Sequence, residues 1–203
     1  MKKDDDTSTL QRLVEAAKIE MAASGFANTT VEQITKRAQV AKGTFYLYFN
    51  TKEDVVRCMM EEMFEKISLV LEESIKKLDS SSLNFNTIIH ETILKTLNEH
   101  YKLKDIIVTV LNTNKELSNE LFSFRSSIFF RLRRAVETII SKSIEKKLIR
   151  PVRTDLISFM LFTIFVNFST EILFKEGVER LDEYVSVIED FILNGILPKK
   201  EDQ

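Results

Sequence analysis

Apolar residues recur at helical spacing along most of this 203-residue chain, so helices are the expected elements throughout. The first stripe ends at Ser24-Gly25 and consists of Leu10, Leu13, Val14, Ala17 and Met21. A second stripe begins after Thr30, which has Gln33 three positions on, and consists of Val31, Ile34 and Ala38. A hydroxyl followed three residues later by an amide is the capping-box pattern, so a helix is predicted to begin at Val31.

A further short helix is predicted from about Ala41, after a turn at Gln39 and Val40. At about 100° per residue, its core side should carry Phe45, Tyr48 and Phe49. Its opposite side should carry Gly43, Tyr46 and Leu47, flanked by Lys42 and Thr44. Two short helices joined by a tight turn, over residues of about 30–49, predict a helix-turn-helix.

The outward side of that second helix has the chemistry of a DNA-reading surface. Lys42 and the Tyr46 hydroxyl can bond phosphate oxygens, and Gly43 would let the helix approach the duplex closely. Leu47 could contact a thymine methyl group. Double-stranded DNA is therefore the expected partner.

The next helix should begin near Lys52, because either Asn50 with Glu53 or Thr51 with Asp54 makes another capping pattern. The first turn of a helix presents free amide groups and favours an anion. Lys52, lying in that turn, is predicted to hold a DNA phosphate.

The rest of the chain reads as helices at roughly 52–77, 85–100, 103–113, 117–148, 154–175 and 181–195, with a polar break at 79–82. Only 4 Gly and 2 Pro interrupt the sequence, which disfavours a strand-rich fold. The predicted class is all-α, with about nine helices.

The segment Leu156–Phe168 is apolar at all but three positions, which raises the question of a membrane span. Its uncharged run, 156–170, has 15 residues, fewer than the roughly 18 that a spanning helix needs. A helix that is apolar all round must be buried on all sides, so we expect a subunit core on one face and a second subunit on the other. A core helix in a monomer is the alternative. The interface residues predicted from this helix and the next are Phe159, Phe162, Phe165, Tyr184, Ile188 and Phe191.

The formal charge of the chain is −2, but it is unevenly distributed. Residues 7–52 hold six basic and three acidic residues, whereas 53–203 hold 21 basic and 25 acidic. The positive charge thus lies with the proposed DNA-binding element. One cysteine, Cys58, rules out an intrachain disulfide, and the start of the chain lacks the apolar region of a signal peptide. A cytoplasmic protein that does not bind membranes is expected.

Over residues 29–53 the chain resembles the TetR family of bacterial transcriptional regulators. The DNA-binding domain of that family has a pattern like T-T-V-x-x-I-A-x-x-A-G-V-S-K-G-T-x-Y-x-Y-F-x-S-K-E. The matching positions are Thr29, Thr30, Val31, Ile34, Ala38, Val40, Lys42, Gly43, Thr44, Tyr46, Tyr48, Phe49, Lys52 and Glu53. The positions that depart from the pattern are Thr35, Gln39, Ala41 and Leu47. Gln39 replaces the turn glycine, so a positive φ there would cost on the order of 1 kcal/mol.

The resemblance implies a three-helix DNA-binding domain over 7–52 and a helical regulatory and dimerisation domain over 53–203. It implies a ligand-responsive regulator, more commonly a repressor, that binds a pseudo-palindromic operator as a homodimer and is released by a small molecule. The predicted DNA-binding residues are Thr29, Thr30, Lys42, Gly43, Thr44, Tyr46, Leu47 and Lys52.

The effector is expected to be apolar or amphipathic, because the regulatory helices are rich in aromatic residues with scattered polar ones. The candidate effector-binding residues are His90, Asn112, Phe129, Thr163 and Asn167. Each could equally belong to an ordinary core. Asn167 stands out, since an amide in so apolar a run needs a hydrogen-bond partner.

An enzyme is the rival class, but the two histidines, His90 and His100, have no metal-binding spacing, and no nucleophile motif or phosphate-binding glycine loop occurs. Neither a cofactor nor a metal is expected. A plain helical corner is a further reading of residues 30–49. A helical protein-interaction adaptor with a degenerate helix-turn-helix is the alternative function.

Overall fold

The computed structural model describes residues 2–80, 84–112 and 118–196, and every regular element within those ranges is helical. The elements are α1 (Lys2–Ser24), α2 (Val31–Arg37), α3 (Lys42–Tyr48), α4 (Lys52–Asp79), α5 (Phe85–Lys102), α6 (Lys104–Asn112), α7 (Asn119–Glu145), α8 (Thr154–Phe168), a π-helical turn (Ser169–Leu173), α9 (Phe174–Glu176) and α10 (Leu181–Ile196). α8, the π-helical turn and α9 are one continuous segment, so the described ranges hold nine helical segments. The all-α prediction is confirmed, with boundaries that agree to within a few residues. Residues 113 and 117, which the prediction placed in helices, lie outside the described ranges.

The π-helical turn was not predicted, although the sequence carries a local reason for it. Ser169 donates its hydroxyl to the Phe165 carbonyl at 2.8 Å, and Thr170 donates to the Val166 carbonyl at 3.0 Å. Hydroxyls that bond carbonyls one turn back compete with the backbone ladder and loosen it. A π-helical turn inside an α-helix is also a frequent mark of functional sites.

Two compact units make up the chain. The first contains residues 1–63 and 103–128. Within it α1 packs on α2 and α6, and α2 packs on α3. Its fully buried side chains include Leu13, Ile34, Phe45, Met59 and Met60, so the helix-turn-helix rests on an apolar core shared with the start of α4.

The second unit contains residues 64–102 and 129–203. α5 packs on α10 and on the π-helical turn. One cluster of buried residues joins these elements and consists of Ile93, Leu97, Leu173, Tyr184 and Val185.

The first unit includes 103–128 as well as the predicted DNA-binding residues 7–52. Compactness therefore groups two later segments, 53–63 and 103–128, with the DNA-binding element. The functional boundary placed between residues 52 and 53 stays a prediction.

Candidate DNA-binding surface and effector residues

The start of α2 is fixed by the predicted capping box. The Gln33 amide nitrogen of the backbone donates to Thr30 Oγ1 at 3.2 Å, and the Thr30 backbone nitrogen donates to Gln33 Oε1 at 2.7 Å. Each residue thereby satisfies a backbone donor that the helix end would leave free. Thr30 is thus the N-cap, and its hydroxyl also donates to Gln33 Oε1.

The turn between α2 and α3 is a Schellman motif. The Gln39 nitrogen donates to the Lys36 carbonyl at 3.3 Å, and the Val40 nitrogen donates to the Thr35 carbonyl at 3.1 Å. This motif needs a left-handed residue, usually glycine, just past the helix. Gln39 occupies that position with φ +56°. The condition stated from the sequence is therefore met, and the positive φ costs on the order of 1 kcal/mol.

α3 has the orientation that the sequence predicted. Phe45 is fully buried and Phe49 is 7% exposed, with their ring centroids 5.5 Å apart. Tyr48 is half-buried. Tyr46 and Leu47, on the other side, are 52% and 81% exposed. Because Phe45 and Phe49 are buried on one side of this two-turn helix, Tyr46 and Leu47 on the other side face solvent.

We call Lys42, Gly43, Tyr46 and Leu47 the outward face of α3. A Cβ added to Gly43 would meet no atom within 4 Å, so glycine leaves open space in front of the backbone there. Lys42 is exposed and has no ion pair within the described part of the chain. Thr44, also predicted to contact DNA, is half-buried beside this face.

Thr29 and Lys52 have structural partners instead. The Thr29 side chain is 1% exposed, and its hydroxyl donates to the Gly25 carbonyl at 2.8 Å. Lys52 Nζ donates to the carbonyls of Phe26, Ala27 and Thr29 at 2.6, 3.0 and 3.0 Å. Those three bonds use all three ammonium hydrogens. Lys52 therefore ties the α1–α2 loop to α4, and neither side chain is free to meet DNA in this arrangement.

The capping pattern before α4 is the one formed by Thr51 and Asp54. The Asp54 carboxylate accepts from the backbone nitrogens of Asn50 and Thr51 at 2.9 and 2.8 Å, and Thr51 Oγ1 accepts from the Asp54 nitrogen. An acid in the first turn also suits the helix dipole. The alternative pair, Asn50 with Glu53, is not used, because Glu53 accepts from Ser118.

Part of the positive charge counted in 7–52 is already neutralised. Lys18 lies 3.2 Å from Glu62, and Arg37 lies 2.5 Å from Glu20. Together with Lys52, half of the six cations are engaged within the protein. The number of basic residues therefore overstates how many cations this region offers to phosphates.

The candidate effector residues are mostly on the surface. His90 is exposed, with Nδ1 3.0 Å from Glu189 Oε2. Thr163 and Asn167 are exposed, and the Asn167 amide donates to the Thr163 carbonyl at 2.8 Å. The hydrogen-bond partner expected for Asn167 is thus a carbonyl of its own helix, and that side of α8 is open in the single chain. Such positions do not favour these three as the lining of an enclosed pocket.

Two of the candidate effector residues remain. Phe129 is half-buried and meets Phe162 edge-on, with ring centroids 5.8 Å apart. The side chain of Asn112 lies outside the described residues.

Two buried polar groups were missed by sequence reasoning. His100 is 7% exposed and lies between the rings of Phe165 and Phe174, with centroids 5.4 and 5.5 Å away. Its Nδ1 is buried without a hydrogen-bond partner, and burial lowers its pKa to about 4. Its position seven residues after Ile93, on the apolar stripe of α5, was the available signal.

Arg125 is the second such group. It is 8% exposed, and burial lowers its pKa. It also lies on an apolar stripe, between the buried residues Leu121 and Ile128. A polar residue at a stripe position is thus the pattern shared by both.

The predicted dimer residues separate into two groups. Phe159 and Phe191 are more than half exposed, and Phe162 and Ile188 are half-buried. Phe165 and Tyr184 pack inside their own subunit, so assigning Tyr184 to an interface was wrong: it is 5% exposed. Further exposed apolar side chains on α8 and α10 are Leu156, Met160, Ile164 and Val187. We call this set, with Phe159 and Phe191, the apolar surface of α8 and α10.

The continuous helical segment Thr154–Glu176 has 23 residues and a stretch of mean hydropathy 1.8, of which 17% is buried. Its length and composition alone would let it cross a membrane, but a single helix of this kind is weak support for a membrane span. No group of three or more potential metal ligands occurs among the residues that the structure describes.

Comparison with known proteins gives consistent results. The model of the tetR family of bacterial regulatory proteins matches residues 13–59, which include all of α2 and α3. The HTH-type transcriptional regulator YhgD of Bacillus subtilis is 22% identical over 158 residues, covering 76% of this chain and 78% of that protein. The fatty acid metabolism regulator protein of the same organism is 36% identical over 66 residues, covering 32% of this chain and 34% of that protein.

The fold has solved counterparts. The crystal structure of the transcriptional regulator FadR from Bacillus subtilis in complex with stearoyl-CoA superposes with a TM-score of 0.73 at 21% identity, covering 91% of this chain and 98% of that one. The family model falls on the helix-turn-helix, so residues 13–59 match the DNA-binding region of the TetR family of bacterial transcriptional regulators, and the fold of the solved counterparts extends over nearly all of the chain.

Proposed function

We propose that this chain is a ligand-responsive repressor that acts in the cytoplasm, binds a pseudo-palindromic operator as a homodimer and leaves it when a small apolar or amphipathic molecule binds. The observation that carries the proposal is the outward face of α3, presented to solvent by the buried Phe45 and Phe49. A helix inserted in the major groove needs such a face.

Each residue of the outward face has a distinct role in the proposed complex. Lys42 and the Tyr46 hydroxyl bond phosphate oxygens, which sets the register of the helix on the duplex. Gly43 allows close approach, since open space lies in front of it. Leu47 contacts a base edge through an apolar group, for which a thymine methyl is the natural partner. Thr44, on α3 beside these residues, and Thr30, the N-cap of α2, complete the proposed contact set.

A gel-shift experiment with DNA from upstream of the protein's own gene tests the DNA-binding role. We expect binding at low salt that weakens as salt rises. Lys42→Ala and Tyr46→Phe should both weaken it. Lys76→Ala, at an exposed lysine of the second unit, is the matched control and should bind as the wild type does. Absence of a shift at low salt, with or without candidate effectors, would reject the regulator.

The apolar surface of α8 and α10 supports the proposed dimer. Phe159, Val187 and Phe191 are each more than half exposed in the single chain, and monomeric proteins rarely leave so many large apolar side chains together in water. Two copies related by a two-fold axis would pair α8 and α10 as a four-helix interface. The same burial accounts for the apolar helix without a membrane.

The dimer explains how a palindrome is read, because two recognition helices then face half-sites at a fixed separation. α4 has residues in both compact units, 52–63 and 64–79. We propose that the effector shifts α4 and so changes the separation of the recognition helices. A coupling of only a few kcal/mol between effector and operator is needed.

The proposed effector class rests on aromatic content and on the relatives. One relative is named a fatty acid metabolism regulator, and one structural counterpart holds stearoyl-CoA. Mass spectrometry of small molecules that remain bound through purification is the direct test. A recovered amphiphile that also abolishes the gel shift would support the proposal, and a strongly polar effector such as a sugar would contradict it.

A helical adaptor that has lost DNA affinity is the second candidate. The N-cap of α3 is Ala41, which makes no side-chain hydrogen bond, and Leu47 exposes 81% of an apolar side chain where bases would be read. An adaptor would show no salt-sensitive binding to DNA but would bind a protein through that same face. Retention of a protein partner by wild type and its loss in Leu47→Glu would favour this function.

A further inference from the structure

Arg125 is a buried cation without a counter-ion. Among the residues whose side chains are described, it is the only lysine or arginine that is less than 9% exposed. Its Nε is buried and lacks a hydrogen-bond partner. A guanidinium stays protonated in proteins, so a positive charge lies at a mostly covered position in the first unit, with its Nε shielded from water.

A second arginine in the same unit, Arg57, has the carboxylate partner that Arg125 lacks among the residues that the structure describes. Arg57 lies over the ring of Phe124 at 4.7 Å, and Arg125 lies over the ring of Phe122 at 4.9 Å. Arg57 also pairs with Glu120 at 2.9 Å. The Nε of Arg125 has no hydrogen-bond partner in the part of the chain that the structure describes.

Two carboxylates that α4 and α7 bring to this unit have other partners. Glu120 is used by Arg57, and Glu53 accepts from the Ser118 hydroxyl at 2.6 Å. A contact with an aromatic face replaces only part of the hydration that a buried cation loses. An anion from outside the described residues would therefore be bound strongly by Arg125.

The surroundings of Arg125 indicate what else that anion carries. Leu121 and Ile128, one turn away on either side of Arg125, are each 1% exposed. Phe122, which covers the guanidinium, is 48% exposed. The charge thus lies under a surface aromatic ring and within an apolar core, which suits an acidic group attached to an apolar body.

We propose that Arg125 is the anchor for the acidic group of the effector, and that the effector is an amphipathic anion with a carboxylate or a phosphate. The forked guanidinium can donate two parallel hydrogen bonds to either group. This inference rests on the proposed function, which it narrows from an apolar or amphipathic molecule to an anionic amphiphile. Arg125 and the helix-turn-helix belong to one compact unit, so an anion bound there would lie in the same unit as α3.

Calorimetric titration of the full-length protein, without DNA, tests the inference. The probes are dodecanoate, dodecyl phosphate and dodecanol, all below their micelle concentrations. We expect wild type to bind at least one anion ten-fold or more tightly than the alcohol. The carboxylate and phosphate arms distinguish an acid of the fatty-acid type from a phosphorylated amphiphile, and a preference for either supports the anchor.

Arg125→Met should bind the alcohol as wild type does but lose the preference for the anion, to within about three-fold. Arg57→Met is the matched control and should keep the preference for the anion over the alcohol. Equal affinity of wild type for anion and alcohol, or no binding of any probe, would overturn the inference without need of a variant. An undiminished preference in Arg125→Met would also overturn it.

These titrations are independent of the operator. Anion binding without any gel shift would leave the Arg125 site standing and reject the regulator. A gel shift that dodecanol and dodecanoate relieve equally would leave the regulator standing and reject the anionic effector.

Discussion

Lowering the pH should destabilise this protein through His100. The side chain is packed between Phe165 and Phe174 and is 7% exposed, and burial lowers its pKa from 6.5 to about 4. The folded state therefore keeps the ring neutral at a pH at which the unfolded chain binds a proton. The contribution of neutral His100 to the free energy of unfolding is present above pH 6.5 and is lost progressively as the pH falls toward 4.

The size of the effect follows from the difference in pKa. The full shift corresponds to about 3 kcal/mol, of which about 1.3 kcal/mol should be lost between pH 7.5 and pH 5.5. For a chain of this length, 1 kcal/mol moves the melting temperature by roughly 2–4 °C. We therefore expect a melting temperature about 3–5 °C lower at pH 5.5.

Thermal melts followed by circular dichroism at a fixed protomer concentration provide the assay, since dimerisation makes melting concentration-dependent. His100→Phe puts an uncharged ring between the same two phenylalanines and should remove the loss. His90→Gln removes the only other histidine in the chain, and this variant should still lose stability at low pH as the wild type does. A flat profile for wild type from pH 7.5 to 5.5, or an unchanged loss in His100→Phe, would refute the reasoning.

Three further results are expected. Thr30→Ala removes the N-cap of α2 and should lower the free energy of unfolding by about 1 kcal/mol, while Thr30→Ser should keep it; equal urea-denaturation curves for the two would contradict the capping box. Gln39→Gly relieves the positive φ and should raise the melting temperature by stabilising the turn by up to about 1 kcal/mol, whereas Gln39→Ala should not. Phe159→Glu should convert the dimer to a folded monomer in sedimentation, with Leu69→Glu, at another exposed apolar residue, as the control; a dimer retained in Phe159→Glu would place the interface elsewhere.

The helix-turn-helix was predictable because its determinants are local. The capping box of Thr30 and Gln33, and that of Thr51 and Asp54, link residues three apart. Phe45 on α3 and Phe49, its C-cap, are likewise one turn apart. Periodicity and capping chemistry are therefore sufficient to place and orient these helices.

Lys52 shows why other residues could not be assigned from sequence. Its position in the first turn of α4 suggested an anion as partner, but its ammonium bonds three carbonyls between 23 and 26 residues earlier. No short-range pattern encodes that contact. Thr29 is a similar case, because its family motif does not show that its hydroxyl turns back to Gly25.

The apolar segment around α8 shows a different limit. The sequence correctly predicted a long apolar helix, but only the fold shows which faces are covered. Tyr184 and Phe165 pack within the subunit, whereas Phe159 and Phe191 remain exposed. Residues on one stripe of α10 are thus divided between core and surface by how α5 packs against it.

The most direct test of the proposed DNA-binding role is the salt dependence of operator affinity in wild type and in Lys42→Ala, measured by fluorescence anisotropy on the same DNA. Each phosphate contact contributes about 0.9 to the slope of log affinity against log salt. If Lys42 on the outward face of both α3 helices bonds a phosphate, the slope for Lys42→Ala should be smaller than that for wild type by about 2 per dimer, and Lys76→Ala should match wild type. An identical slope for wild type and Lys42→Ala would contradict the placement of this face on DNA.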